Sequence, residues 1–138
     1  MKYLLDTCVI SQLAKPGDSK VKDFIAEQEE ESLFLSVITI GEITKGISFL
    51  EKGLRKTKLE GWLTSIKKHY ADKLLPISVD TSEIWGSITA KEQTAGRILS
   101  VADGLIAASA IEHGLTLVTR NIKDFSGAGV MLLNPWDG

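Results

Sequence analysis

Tyr3-Leu4-Leu5-Asp6-Thr7 packs three apolar residues together and then ends on a carboxylate and a hydroxyl. A short apolar run bounded this way reads as a buried β-strand. Behind it Val9, Ile10 and Leu13 recur at helical spacing until Lys15-Pro16-Gly17-Asp18 interrupts the pattern. The unit returns along the chain. Leu33-Phe34-Leu35-Ser36-Val37 reads as a second strand, Leu74 to Val79 as a third whose Pro76 points to a sheet edge, Leu115 to Thr119 as a fourth and Val130 to Leu133 as a fifth. Between them lie helical patterns. Ser19 to Glu31 carries Val21, Phe24 and Ile25 on one face, and a helix from about Ile40 to Leu50 follows Thr39 and Glu42 in capping-box spacing. The next, from Leu54 to Asp72, buries Leu59, Trp62, Leu63, Ile66 and Tyr70, and another begins at Asp80 or Ser82 and passes Ile84, Trp85 and Ile88 to Ala95. Ser100 to His113 is nearly all small and apolar and is closed by Gly114. Strands alternating with helices predict a three-layer α/β domain on a parallel sheet with right-handed crossovers.

Composition sets the class. A chain of 138 residues, 43% hydrophobic and 25% charged, is expected to fold as one globular domain, residues 1–138, with a core large enough to need no disulfide. Its one cysteine, Cys8, has no internal partner, and the start shows no secretory pattern, which points to a cytoplasmic location. No apolar stretch approaches the roughly 18 to 20 residues of a membrane span. The formal charge of −2 argues against a protein that coats nucleic acid through many lysine and arginine contacts. It leaves room for a nuclease whose metal supplies the local positive charge.

Four acids carry the functional signal. Asp6, Glu42, Asp103 and Asp124 each fall where a strand has just ended or a helix is just beginning. In an open parallel sheet those junctions share one edge, so residues distant in sequence converge there. Taken singly, each has a structural explanation: Asp6 as a helix N-cap, Glu42 as the third residue of a capping box, Asp103 as the acidic partner of Ser100, Asp124 as a turn residue before Phe125. Taken together they pose an electrostatic problem, because two unit charges about 4 Å apart repel by roughly 4 kcal/mol at an effective dielectric near 20. Such a cluster needs protons, basic partners or a cation. A hard divalent cation with oxygen ligands is the usual answer, and in a small α/β domain it suggests phosphate-ester chemistry.

Several stretches also carry a resemblance. Leu4-Leu5-Asp6-Thr7 with Val9-Ile10-Ser11, Ser36-Val37-Ile38-Thr39-Ile40-Gly41-Glu42-Ile43 with Gly46, Ala102-Asp103-Gly104-Leu105-Ile106-Ala107-Ala108, Thr119-Arg120-Asn121 with Asp124-Phe125, and Asn134-Pro135-Trp136 resemble, in the right order and over nearly the whole chain, a PIN-domain ribonuclease of the VapC toxin family, its FitB-like branch above all. The resemblance implies a five-stranded parallel sheet in the order 3-2-1-4-5. It also implies an acidic pocket that binds Mg2+ or Mn2+ and cleaves RNA, a homodimer, and neutralisation by a small VapB-like antitoxin within a type II toxin-antitoxin system. Asp6 and Asp103 would then be the principal metal ligands, Glu42 a further ligand or the base that orients water, and Asp124 a more distant fourth acid. Two positions depart from the pattern. Cys8 stands where many relatives have Asn, which removes a hydrogen bond near Asp6, and some FitB-like relatives place the fourth acid at the position of Asn121 rather than Asp124. Which of these two faces the metal stays open.

The implied reaction is in-line attack on a phosphodiester by a water that the cation makes more acidic. Thr7 and Thr119 each set a hydroxyl beside an acid and would hold such a water or a phosphate oxygen. Lys45, one turn beyond Glu42, and Arg120, after the fourth strand, are candidates for a neighbouring phosphate. The run Lys52 to Lys58, with Lys67 and Lys68, is the densest basic patch and a candidate track for an RNA backbone. His69 and His113 lack metal-ligand spacing, and Trp62 and Trp85 fall at core-facing helical positions. Other classes fit less well. A haloacid-dehalogenase-type phosphatase wants a second carboxylate where Cys8 stands. A receiver-like Mg2+-binding signalling domain wants an acceptor Asp after a central strand, where this chain has Ser36-Val37-Ile38-Thr39, and a Lys where it has Thr119-Arg120. A catalytically weak PIN-type module that only binds RNA or antitoxin would not need all four acids.

Overall fold

Leu4 turns to one side of the sheet while Tyr3 and Leu5 turn to the other, the two-residue alternation of an extended strand placed at the centre of the molecule. The computed structural model describes residues 1–137. In it β1 (Tyr3–Leu5) pairs in parallel with β2 (Leu33–Ser36) on one side and β4 (Thr116–Val118) on the other. β3 (Leu74–Leu75) extends the sheet beyond β2, and β5 (Leu132–Leu133) extends it beyond β4. The order is therefore β3-β2-β1-β4-β5, all parallel, as expected.

Both faces are covered, because strands apolar on both sides must be buried on both sides. Tyr3, Leu5, Leu33, Leu35 and Val118 pack beneath α1 (Thr7–Leu13), α2 (Lys20–Glu27), α3 (Val37–Ser48) and α4 (Leu54–His69) through Val9, Ile10, Val21, Ile43, Ile47 and Leu63. Leu4 and Leu117 pack on the opposite face against α5 (Val79–Thr94) and α6 (Val101–His113), where Ile88, Ile106, Ala107, Ala108 and Ala110 are buried. The small residues of α6 let it lie close to both α5 and the sheet. Trp62 and Trp85 join opposite core clusters, as their helical positions predict. No helix among the described residues is long and apolar enough to cross a membrane.

Several element boundaries differ from the sequence expectation: α2 ends at Glu27, β2 at Ser36, α4 at His69 and β3 at Leu75, and β5 begins only at Leu132. α3 begins at Val37 with Ser36 as its N-cap, the Ser36 hydroxyl accepting from the Ile38 N–H at 3.0 Å, so Thr39 is a buried residue of the first turn rather than a cap. α5 begins at Val79, capped by a reciprocal Ser78 and Thr81 pair. Asn121 leads into a short helix, α7 (Ile122–Phe125), where a turn was expected. Gly114 ends α6 with φ 65, the left-handed conformation that glycine adopts without strain.

Candidate active site

The carboxyl ends of β1 and β4 lie side by side, because the Asp6 N–H continues the parallel ladder to the Val118 carbonyl at 2.9 Å. That register brings Asp6 and Thr119 together at the sheet edge. Asp6 is 3% exposed and both of its carboxylate oxygens are engaged. Oδ1 accepts from the Thr7 N–H at 2.9 Å, which makes Asp6 the N-cap of α1. Oδ2 accepts from the buried Thr119 hydroxyl at 2.7 Å and from the Cys8 thiol at 3.7 Å. Asp6 is thus the N-cap of α1, as the structural reading has it, and also faces the shared sheet edge beside Thr119. Burial, the largest influence, holds the Asp6 carboxyl above the usual aspartate range, its hydrogen bonds to Thr119, Thr7 and Cys8 oppose that, and the Glu42 charge adds to it.

Thr7 ties the first two acids together. Its N–H goes to Asp6, and its hydroxyl donates to Glu42 Oε1 at 2.6 Å, bridging α1 to the second turn of α3. The Thr39 hydroxyl stands 3.1 Å from that of Thr7, so a residue read as a helix cap is instead buried behind the Thr7–Glu42 contact. Asp103 lies in the first turn of α6, where the Ser100 hydroxyl accepts its backbone N–H at 3.1 Å. Its carboxyl is also held above the usual range, first by burial and then by the charge of Asp6, with Glu42 and Asp124 adding to it and a Ser100 hydrogen bond opposing. Asp103 thus lies within the field of the other three acids. Asp124 is exposed on α7 and acts on Asp103 most weakly of the three. Asn121 is exposed as well, and its N–H donates to Thr119 Oγ1 at 3.0 Å.

Cys8 has more to do than fill space. The hydrogen bond lost with the expected asparagine is replaced by a thiol contact to Asp6, and the sulfur lies 3.8 Å from Thr119 Oγ1. Burial raises the thiol's pKa, so it stays protonated and serves as a donor. Lys45 is exposed on α3 and makes no ion pair among the described residues. From Thr7 and Glu42 a groove of about 870 Å³ runs between α1, α3 and α4, floored by Ile43, Ile47, Leu59 and Trp62, with Lys15, Arg55 and Lys58 among its lining residues. Two residues of the basic run therefore face the groove beside the acids.

The donor set is carboxylate and hydroxyl oxygen, the chemistry of hard divalent cations. Carboxyls raised by burial and by each other lack positive charge around them, so the residues fit such an ion. Among the described residues no group of three or more Asp, Glu, His or Cys side chains is placed to hold a metal ion by itself.

The PIN domain family matches residues 3–129 of the chain. This chain belongs to the PIN domain family. It is similar to the VapC ribonuclease Y4jK of Sinorhizobium fredii, with 37% identity over 139 residues that cover 97% of each protein. It is similar also to Toxin FitB of Neisseria gonorrhoeae, with 36% identity over 135 residues, 96% of this chain and 97% of FitB. Among solved structures, that of FitAcB from Neisseria gonorrhoeae matches with a TM-score of 0.90 at 35% identity, covering 97% of this PIN domain and 98% of the other chain.

Proposed function

We propose that this PIN domain protein is a Mg2+- or Mn2+-dependent endoribonuclease, the toxic partner of a small antitoxin. The observation that carries the reading is the network in which Asp6, Thr7, Glu42 and Thr119 are locked together within the electrostatic reach of Asp103. The similarity to a VapC ribonuclease and to Toxin FitB supports RNA as the substrate.

Asp6 and Asp103 would hold the cation, with Glu42 as a further ligand or as the base. When bound, the cation supplies Lewis-acid activation of water and stabilises charge that develops on the phosphate. The chain's own residues supply position. Thr119, Thr7 and Cys8 fix both Asp6 oxygens, so the carboxylate is set before substrate arrives. Thr7 engages Glu42 Oε1 and leaves Oε2 to orient the attacking water or accept its proton. Asp124 acts from the rim, with Asn121 as the other candidate for that place.

The groove supports the antitoxin part of the proposal. Its apolar floor runs beside Glu42 and includes Trp62, and it suits an apolar-faced segment of a partner, which would at the same time cover Glu42. Purified protein is expected to cut single-stranded RNA with Mg2+ or Mn2+ and to stop on addition of EDTA. Asp6→Asn and Asp103→Ala are expected to remove the activity and the growth arrest on expression. Cleavage by Asp6→Asn at the wild-type rate would end this reading.

A further inference from the structure

Arg120 follows Thr119, the residue that holds Asp6, and precedes Asn121, whose N–H is bound to Thr119. The backbone of Arg120 is therefore held between two residues tied to Asp6, yet its guanidinium pairs with no carboxylate: no ion pair of Arg120 occurs among the described residues. The guanidinium instead lies over the indole of Trp136, 5.2 Å from Cζ to the ring centroid. Trp136 is a firm platform. It packs partly buried against the core of β1 and β4, next to a buried Pro135, and its N–H donates to Asn134 Oδ1 at 2.9 Å.

Stacking on an aromatic face occupies the plane of a guanidinium and leaves its N–H edge available. Held this way, Arg120 is drawn away from the acids, while its donors remain free for an anion arriving at the rim. An acidic pocket repels an RNA backbone, so cations are needed on both sides of it. Lys15, Arg55 and Lys58 line the groove on the α3 side. Arg120 stands on the β5 side.

We infer that Trp136 is a positioning residue that presents Arg120 as a clamp for an RNA phosphate beside the acid pocket. This rests on the ribonuclease reading above. The test uses the full chain with a labelled single-stranded RNA, measuring binding in EDTA over a salt series and steady-state cleavage in Mg2+. Arg120→Ala is expected to weaken binding about fivefold to tenfold near 0.1 M salt and to reduce the log–log salt slope by roughly 0.7, the loss of one phosphate contact to a single strand. Trp136→Leu is expected to raise KM several-fold with kcat within about twofold, Trp136→Phe to keep most of the affinity through its remaining aromatic face, and the double variant Trp136→Leu/Arg120→Ala to bind no worse than Arg120→Ala alone. Wild-type KM and salt slope in Trp136→Leu, or additive losses in the double variant, would overturn the clamp. If Trp136→Leu fails to fold, the pair Arg120→Ala and Trp136→Phe decides: an unchanged slope in the first, or an equal loss in the second, overturns it. Wild-type protein that neither binds nor cuts RNA would sink the ribonuclease reading itself, whereas normal cutting with unaffected variants would sink the clamp alone.

Discussion

Thr119 donates its hydroxyl to Asp6 Oδ2 at 2.7 Å, joining residues 113 positions apart at the adjacent ends of β4 and β1. The pair is buried, so water does not replace the bond when one side is removed. Thr119→Val keeps the shape and deletes the donor. It is expected to lower stability by about 1–3 kcal/mol, the range for leaving a buried partner unsatisfied, and to weaken Mn2+ binding. Urea unfolding and a Mn2+ titration check this, and a variant that matches wild type in both would show that Asp6 is held by other means.

The two raised carboxyls set a pH dependence. Burial and neighbouring acids lift Asp6 and Asp103 above the value of 3.8 that each has in the unfolded chain. In the window above 3.8 the folded protein keeps protons that the unfolded chain has released, so these groups make metal-free stability fall as pH rises through that window. Asp103→Asn should therefore be more stable than wild type at pH 7 in EDTA, on the order of 1 kcal/mol after allowing for solvent screening at a partly exposed site. The advantage should vanish below pH 3.8 and shrink when Mg2+ is added. Thermal melts at several pH values measure it, and a wild type that melts higher in EDTA at pH 7 would contradict it.

Gly104 follows Asp103, and a Cβ built on it would stand 2.8 Å from Trp85 Cδ1 and 2.9 Å from Nε1. The close approach of α6 to α5 leaves no room for a methyl group. Gly104→Ala is expected to cost about 1–3 kcal/mol by overpacking, despite alanine's better helix propensity. Because the displaced turn carries Asp103, cleavage should fall further than the folded fraction does. Equal activity per folded molecule, measured beside circular dichroism, would show that the turn absorbs the methyl without moving the acid.

Glu92 is buried at 2% exposure and accepts two hydrogen bonds from Arg97, both at 3.1 Å, in a fork that lies against Gly127. Arg97 precedes the turn into α6 and Gly127 follows α7, so the fork ties together the segments that carry Asp103 and Asp124. The Arg97 hydrogen bond holds the Glu92 carboxyl below its usual value, so its contribution to stability is present above the unfolded value of 4.5 and is lost as pH falls through the lower folded value. Arg97→Ala is expected to lower the melting temperature more than the double variant Arg97→Ala/Glu92→Gln, since removing only the cation strands a buried charge. The reverse order in thermal melts would refute this account of the pair.

Much of this was legible in the sequence because its signals are local. Short apolar runs that end in Asp6-Thr7 and Leu35-Ser36 mark strand ends, and strand ends in a parallel sheet share an edge, so the place of the acids followed from alternation alone. The order of the strands does not follow from alternation, and it rested on the likeness of the motifs. The boundary of α3 was misread because Val37 and Ile38 are β-branched and extend the strand pattern, while Ser36 caps the helix with no intervening loop. Thr39, Cys8 and the Glu92–Arg97 fork were missed for another reason. Each acts through a partner brought close by tertiary packing, and Gly96 with φ 79 turns the chain so that residues five apart face each other. No periodicity encodes that.

The double employment of Asp6, as cap of α1 and as centre of the acid pocket, narrows the routes by which a lineage under pressure to silence the protein can do so and still make it. Asn, the substitution that keeps the cap, abolishes the charge at little expense to the fold, whereas Ala surrenders both. Inactive descendants that persist as folded binding partners should therefore be enriched in asparagine at this position, and those with alanine or a bulky apolar residue should be scarce among soluble, abundant forms.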